Sequence, residues 1–448
     1  MVRVTPYVYV REMKAQAWIA VNTFTGALDV VTPELGRELL AHDIGPAITR
    51  EWEPLLARGY IIEDDMDKLW KVQPDRGEVG FTVCPTTSCN LRCTYCFQRL
   101  STIDKQDMDM EVLELALVAM SQQAHRGTGK KNKVVLYGGE PLQSRTMGMV
   151  ERVLSVCAGL SCNVTIITNG TGVESANALL LHYRDLINRI QITIDGPPEI
   201  HNRRRVLPGG DSFGAASGAI EWCLNHDLPV VARCNTDRFN MDSCADLVGL
   251  FQARGWFNNA EFAIAFAPVG DNGGFGTDGL LSEYELVTSL DRALPSDPAL
   301  RRHIRLEPML FLSPIAAQLG IVLGQIERVE SHVGPRPYYC GAAAMTSYIL
   351  APNGLIYSCW ECIGKEDHAI GRFVPELDVF PHGLWRKRPV TGIEECKECF
   401  LGPLCAGGCP MYAATHQKRN LMGPACEDRP QLFDYYMEKV IDRLLPSL

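Results

Sequence analysis

Residues 89–97 read Cys-Asn-Leu-Arg-Cys-Thr-Tyr-Cys-Phe, which puts Cys89, Cys93 and Cys96 on one short loop at x3 and x2 spacing. Three thiolates so placed can hold three corners of a four-iron cluster, whereas a cluster that only relays electrons is normally closed by four. The missing ligand leaves one iron for an exogenous molecule. Three close cysteines also fit a zinc knuckle or a set of buried thiols, because zinc sites use similar CxxC pairs. The β-rich run Phe81-Thr82-Val83-Cys84 just before the loop sets the cysteines at the C-terminal mouth of a first strand. Active sites of βα barrels lie at that end.

Around this loop the composition is that of an ordinary globular chain, with 448 residues, room for two or three domains, and 46% hydrophobic content. No apolar run of membrane-spanning length interrupts it. The N-terminal MVRVTPYVYVREMK lacks the apolar core of a signal peptide. A cytoplasmic protein with no membrane partner is therefore expected. In that compartment 17 cysteines point to metal or redox chemistry rather than disulfides. A formal net charge of -10 gives no reason to expect a nucleic-acid partner.

From about Gly80 to Phe266, short β-rich runs alternate with helix-length amphipathic stretches. Predicted strands are Phe81–Cys84, Lys133–Tyr137, Val164–Thr168, Ile190–Ile194, Val230–Cys234 and Glu261–Phe266. Periodic segments at Met110–Gln122, Met147–Cys157, Gly214–Asn225 and Ser243–Ala253 lie between them. The cysteine loop, with Phe97 after its third cysteine, resembles the radical S-adenosylmethionine (SAM) superfamily. That resemblance implies an α/β fold, a partial (β/α)6 TIM barrel. It also implies a cluster iron that chelates SAM and a 5′-deoxyadenosyl radical that abstracts hydrogen from substrate.

Loops after the predicted strands extend the match. Gly138-Gly139-Glu140-Pro141 follows the second strand and resembles the GGEP motif that meets the SAM amino group. Glycines permit close backbone approach, and a carboxylate suits an ammonium. Asn169 in Thr168-Asn169-Gly170, Asp195 in Thr193-Ile194-Asp195-Gly196, and Arg233 on the fifth strand resemble positions that contact SAM ribose and carboxylate. Singly, Asn-Gly and Asp-Gly are routine turns; their order after successive strands carries the reading. His201-Asn202-Arg203-Arg204-Arg205 resembles a histidine, acid, two residues, arginine run of the family, with Asn202 where the acid stands. It reads either as a solvated basic loop or as a segment facing substrate or SAM.

A second cysteine array fills the C-terminal third. Cys340, Gly354 with Cys359 after four intervening residues, Cys396, Cys399, Cys405, Cys409 and Cys426 resemble the seven-cysteine SPASM domain. By that resemblance Cys396, Cys399, Cys405 and Cys426 hold one auxiliary cluster, and Cys340, Cys359 and Cys409 the other. Cys362, three residues after Cys359, either completes the latter or leaves it open. The implied cofactors are three 4Fe-4S clusters and SAM. Cys84, Cys157, Cys162, Cys223, Cys234 and Cys244 remain and are expected to be buried apolar thiols.

At the N-terminus, three short antiparallel strands are expected over Tyr7–Val10, Ala17–Val21 and Ala27–Val31. Helices at Pro33–Ala41 and Ala47–Arg58 and a wing at Tyr60–Trp70 follow. This order resembles the RiPP recognition element, a winged-helix-like module that binds the leader of a ribosomally made precursor peptide, pairing it with an edge strand. The resulting expectation divides the chain into a peptide-binding domain at 1–78, a radical SAM barrel at 79–305, a bridge at 306–335 and a SPASM domain at 336–448. Its activity would be oxidative crosslinking of a precursor peptide, with an external donor such as flavodoxin or ferredoxin. An anaerobic sulfatase maturase is one alternative, although Trp360 stands immediately after Cys359, where resemblance to that family would imply an aspartate. A non-enzymatic zinc-binding interaction module is the other.

Overall fold

The computed structural model describes residues 2–13, 18–63, 70, 79–100, 104–124, 132–271, 274, 276–312, 334–380, 384–417, 420–426 and 428–444. Parts of the expected wing (64–69) and of the expected bridge (313–333) lie outside these. Two compact units emerge. One comprises Met1–Asp75, Pro308–Cys340 and Arg388–Leu448, the other Arg76–Glu307 and Gly341–Lys387.

The second unit is built on strands β1 (Gly80–Val83), β2 (Lys133–Leu136), β3 (Asn163–Thr168), β4 (Ile187–Thr193), β5 (Val230–Thr236), β6 (Phe262–Pro268) and β7 (Ile304–Leu306). All seven are parallel, and neighbours in sequence are neighbours in the sheet. Such connections need crossovers, supplied by helices such as Met110–Ala124, Met147–Gly159, Ser212–Asn225 and Cys244–Ala253. In Met110–Ala124 the buried residues Leu113, Ala116, Leu117, Met120 and Ala124 recur at helical spacing, so one stripe faces the sheet. Beyond β1 the sheet continues through β8 (Ser347–Leu350), parallel to β1, then β9 (Leu355–Tyr357), β10 (Ala369–Arg372) and β11 (Asp378–Val379), which are antiparallel. The chain thus has a large, mostly parallel α/β sheet whose six predicted strands all form, within a few residues of their expected bounds.

Register decides which side chains share a face. Thr82 lies opposite Val135, Val135 opposite Thr165, and Thr193 opposite Arg233. Val134, Leu136, Val164, Ile166, Ile190 and Ile192 alternate with these and are fully buried. One face is therefore a Val/Ile core, and the other carries polar and intermediate residues toward the strand ends where the cysteine loop begins.

In the first unit, Val8–Glu12, Trp18–Asn22 and Leu28–Val31 form an antiparallel meander, and Arg3–Val4 pairs with Ile61–Ile62. Helix Pro33–Ala41 starts at Thr32, whose hydroxyl accepts from Leu35 N–H at 3.3 Å, with Pro33 at its first position. The Glu38 carboxylate then accepts from Ala47 and Ile48 N–H at 3.0 and 2.7 Å, satisfying orphan donors of helix Pro46–Arg50. Val8, Ala20, Leu35, Leu39, Ile48, Leu55 and Tyr60 close a small core around these elements. Among the described residues no helix is long and apolar enough to cross a membrane.

Candidate active site

Cys89, Cys93 and Cys96 sit on the loop that follows β1. Cys93 is buried, while Cys89 and Cys96 are partly open. Cys89 Sγ accepts from Leu91 N–H at 3.3 Å and lies 3.7 Å from Asn169 Nδ2, whose second bond, at 2.8 Å, goes to Asn90 Oδ1. Burial pushes the Cys93 thiol up to about 12, against the opposing pull of the Arg205 charge. Among the described residues no group of three His, Cys, Asp or Glu side chains converges to hold a single metal ion.

The loop is held against the ends of β2 and β3. A Cβ on Gly138 would strike the Thr86 carbonyl oxygen, and one on Gly139 the Ser88 carbonyl, so both positions exclude any side chain. Gly139 and Glu140 N–H donate to Thr86 and Ser88 carbonyls at 2.8 and 3.0 Å. Glu140 is 1% exposed and spends its carboxylate internally. One oxygen accepts from Thr168 Oγ1 (2.6 Å) and Leu142 N–H (2.9 Å), the other from Asn169 N–H (2.6 Å). Burial pushes this carboxyl up, and the same three donors pull it back. Glu140 therefore fixes Asn169 beside Cys89. Glu140→Gln would turn an amide NH2 toward one set of these donors, and a buried donor left unmade costs about 1–3 kcal/mol. The amides of Asn169 and Leu142 should then exchange hydrogen about 10- to 100-fold faster. Unchanged exchange at both would show that the carboxylate is not what holds them.

Asp195 is wholly buried after β4. Its oxygens accept from Tyr95 OH (2.5 Å) and Asn235 N–H (3.0 Å), and Arg204 Nε lies 3.8 Å away. Tyr95, inside the cysteine loop, also accepts from Arg205 Nη1 (2.8 Å) and Asn235 Nδ2 (3.1 Å). Sequence reasoning singled out Phe97 and missed Tyr95, although an aromatic between two cysteines was visible in Cys93-Thr94-Tyr95-Cys96. Phe97 opens a short helix, Phe97–Leu100. Arg233 pairs with both oxygens of Glu307 at 2.7 and 2.8 Å and reaches Asn235 at 2.8 Å. Its partner Glu307 carried no sequence signal.

The basic run is no solvated loop. His201, Arg204 and Arg205 are buried, and only Arg203 is exposed. His201 Nδ1 accepts from Asp195 N–H at 3.2 Å, and burial holds its ring neutral, with a pKa near 3. Asn202 accepts from Ser212 Oγ and Phe213 N–H, both at 2.8 Å, so it tethers the start of helix Ser212–Asn225. Arg204 pairs with Asp237 at 2.7 and 2.8 Å.

The second cysteine array is divided between the units. In the sheet unit Cys359 and Cys362 are hydrogen-bonded neighbours, and Cys362 is fully buried. The intervening Trp360 stacks on Tyr137 (centroids 4.6 Å, 18°) and donates to Thr82 Oγ1 at 3.1 Å. In the other unit burial pushes Cys396 up to about 12, reinforced by Cys405, Cys426 and Cys399. Arg388 there is 1% exposed, donates to the carbonyls of Gly407, Gly408 and Gly423, and feels Cys396, Cys340, Cys409 and Cys405. Nothing in the sequence marked it. The six cysteines expected to be buried are all buried.

Residues 83–242 match the Radical SAM superfamily. The chain is 24% identical over 215 residues to the sporulation killing factor maturation protein SkfB of Bacillus subtilis, a match covering 48% of this chain and 47% of SkfB. It is 20% identical over 377 residues to the cysteine-type anaerobic sulfatase-maturating enzyme of Clostridium perfringens, covering 80% and 95% of the two chains. Among solved structures, anSMEcpe with bound AdoMet superposes with a TM-score of 0.59 at 19% identity, over 82% of this chain and 94% of that one. Streptococcus suis SuiB bound to precursor peptide SuiA gives 0.54 at 15% identity, over 93% and 97%.

Proposed function

We propose that the chain is a radical SAM enzyme that oxidatively crosslinks a ribosomally made precursor peptide, a reading supported by the superfamily match over residues 83–242 and by the similarity to a killing-factor maturation protein. The observation that carries the reading is the loop of Cys89, Cys93 and Cys96 locked by Gly138, Gly139 and Glu140 against Asn169. Three cysteine sulfurs are the ligand set of a cluster with one open iron, and the Leu91 amide and Asn169 carboxamide beside Cys89 Sγ are hydrogen-bond donors of the kind that tune such a cluster. A cluster held by Cys89, Cys93 and Cys96 would supply the electron for reductive cleavage of SAM, and with it the means to take a hydrogen atom from an unactivated carbon of the substrate.

The residues around it orient and shield. Gly138 and Gly139 let the backbone pack directly on Thr86–Ser88 at the foot of the cysteine loop, and by resemblance this segment would meet the SAM amino group. Asn169, held by Glu140, and the Asp195–Tyr95–Asn235 network define the wall beside Cys89 and Cys93. The sheet is read as a partial (β/α)6 barrel with this site at the C-terminal strand ends. By the resemblance of the cysteine spacing, a further cluster is assigned to Cys396, Cys399, Cys405 and Cys426, and Cys359 with Cys362 are assigned as ligands of another. The mutual proximity of the first four supports that set. Buried Cys362 beside Cys359 favours its ligation, and hence an electron relay over an open substrate site. A cluster closed by four thiolates would supply an acceptor for the second electron, whose removal with a proton accompanies any new bond between two former C–H or heteroatom–H positions. A non-enzymatic zinc module is set aside by the superfamily match.

Among the described residues, edge strand Leu28–Val31 pairs with Trp18–Asn22 alone, and it is the proposed docking site for the leader. Its amides should exchange hydrogen at least about tenfold more slowly when precursor is present. Unchanged exchange there, with precursor bound, would place the reader elsewhere. The activity itself is tested by incubating anaerobically reconstituted enzyme with SAM, dithionite and the peptide encoded by a neighbouring short reading frame. A peptide lighter by two hydrogens, with 5′-deoxyadenosine formed alongside, is expected. Conversion of a sulfatase peptide's cysteine to an aldehyde instead would favour the sulfatase-maturase reading.

A further inference from the structure

Building on the assignment of Cys89, Cys93 and Cys96 to a four-iron cluster, we propose that Arg205 is a positioning residue that raises the cluster's reduction potential. It would do so through a buried positive charge pinned beside Cys93. Main-chain register fixes its place. Arg205–Val206 pairs antiparallel with Arg92–Cys93, Arg205 directly opposite Cys93, and Thr94 N–H donates to the Arg204 carbonyl at 2.9 Å. The cysteine loop and the arginine are therefore two halves of one small ladder, and neither can drift from the other without breaking it.

The side chain is equally constrained. Arg205 is 7% exposed, and Nη1 donates to Tyr95 OH at 2.8 Å. Nε is buried and has no protein acceptor. Its neighbours have different partners. Arg204 is neutralised by Asp237 at 2.7 Å, with Asp195 at 3.8 Å, and Arg203 faces solvent. Among the described residues no carboxylate lies within ion-pair distance of Arg205. A buried cation without a counter-ion is costly unless an anion meets it. The group the loop is built to hold is such an anion.

The redox consequence follows from charge. One-electron reduction adds one negative charge to the cluster, and no proton is needed. A nearby fixed cation in a low-dielectric site stabilises the reduced state more than the oxidised one. Hydrogen bonds and net charge near cluster sulfurs are the protein's means of setting the potential. The donor then needs less driving force to deliver its electron.

The test is a redox titration of the full-length, reconstituted chain with dithionite, following by electron paramagnetic resonance the signal that changes when SAM is added. Arg205→Gln should hold at least about tenfold less reduced relative to oxidised cluster at a given potential, about 59 mV for a one-electron couple. Arg205→Lys, which keeps the charge, should stay within about threefold of the wild type on the same scale. A Gln variant with full iron content and a wild-type midpoint would overturn the proposal, as would a Lys variant shifted as far as Gln. If Gln fails to load iron, Lys decides. Loading with a near wild-type midpoint supports the charge role, and failure to load in both shows a purely structural clamp and overturns it. A wild-type protein with no SAM-responsive cluster would instead refute the cluster assignment on which the inference rests.

Discussion

Changing Cys89, Cys93 and Cys96 together to Ala is expected to reduce 5′-deoxyadenosine production to the level seen without enzyme. Iron per chain should fall by one cluster, and the clusters proposed for the second cysteine array should remain. The loss should be chemical rather than structural. The loop is held by Gly139 and Glu140 N–H bonds to Thr86 and Ser88 and by the ladder to Arg205–Val206, none of which uses a cysteine side chain. Far-UV circular dichroism should therefore be unchanged. Continued SAM cleavage in this variant would show that the thiols are not the cofactor's ligands.

The second large effect is expected from Gly139→Ala. The added methyl group meets the Ser88 carbonyl carbon and oxygen and lies 2.8 Å from the Thr87 carbonyl carbon. All of these are main chain, so no side-chain rotation relieves the contact and the cysteine loop must shift by on the order of 1 Å. A displacement of that size at a reacting centre costs about 100-fold in rate. SAM cleavage by Gly139→Ala should fall by about that factor while β2 and β3 stay paired. Gly148→Ala is the matched control. A Cβ there has open space within helix Met147–Gly159, and replacing a helical glycine stabilises by up to about 1 kcal/mol. Equal activities of the two variants would show that close approach at Gly139 is not required.

Docking of the N-terminal strands draws on more than residues 1–78. Tyr7 OH donates to the Lys397 carbonyl at 2.9 Å, and Tyr9 OH to Asp434 at 2.6 Å on helix Arg429–Leu444. Tyr7, Ile62 and Trp70 share a buried cluster with Val390, Ile393 and Cys396. Removing residues 1–78 would strip that cluster from around Cys396. Exchange at Leu28–Val31 in the intact chain is for this reason the cleaner probe of leader binding.

The sequence by itself determined the cysteine loop, the order of the six strands and the loops after them. Each of these is written in local signals: thiol spacing, period-2 and period-3.6 apolar patterns, and glycines where backbone meets backbone. It also marked the six buried thiols, through their places in strands and helices. What only tertiary structure decided were the partners of charged and polar side chains. Glu140 is closed on Thr168, Asn169 and Leu142, and Arg233 on Glu307. Tyr95 bridges Asp195 and Arg205, which lie 100 and 110 residues further along the chain. A run of three arginines looks solvated in sequence because charge favours water. Two of them are buried here because Asp237, Asp195, Tyr95 and the strand facing Cys93 meet them from elsewhere in the chain, and no local pattern encodes a partner that folding alone brings near.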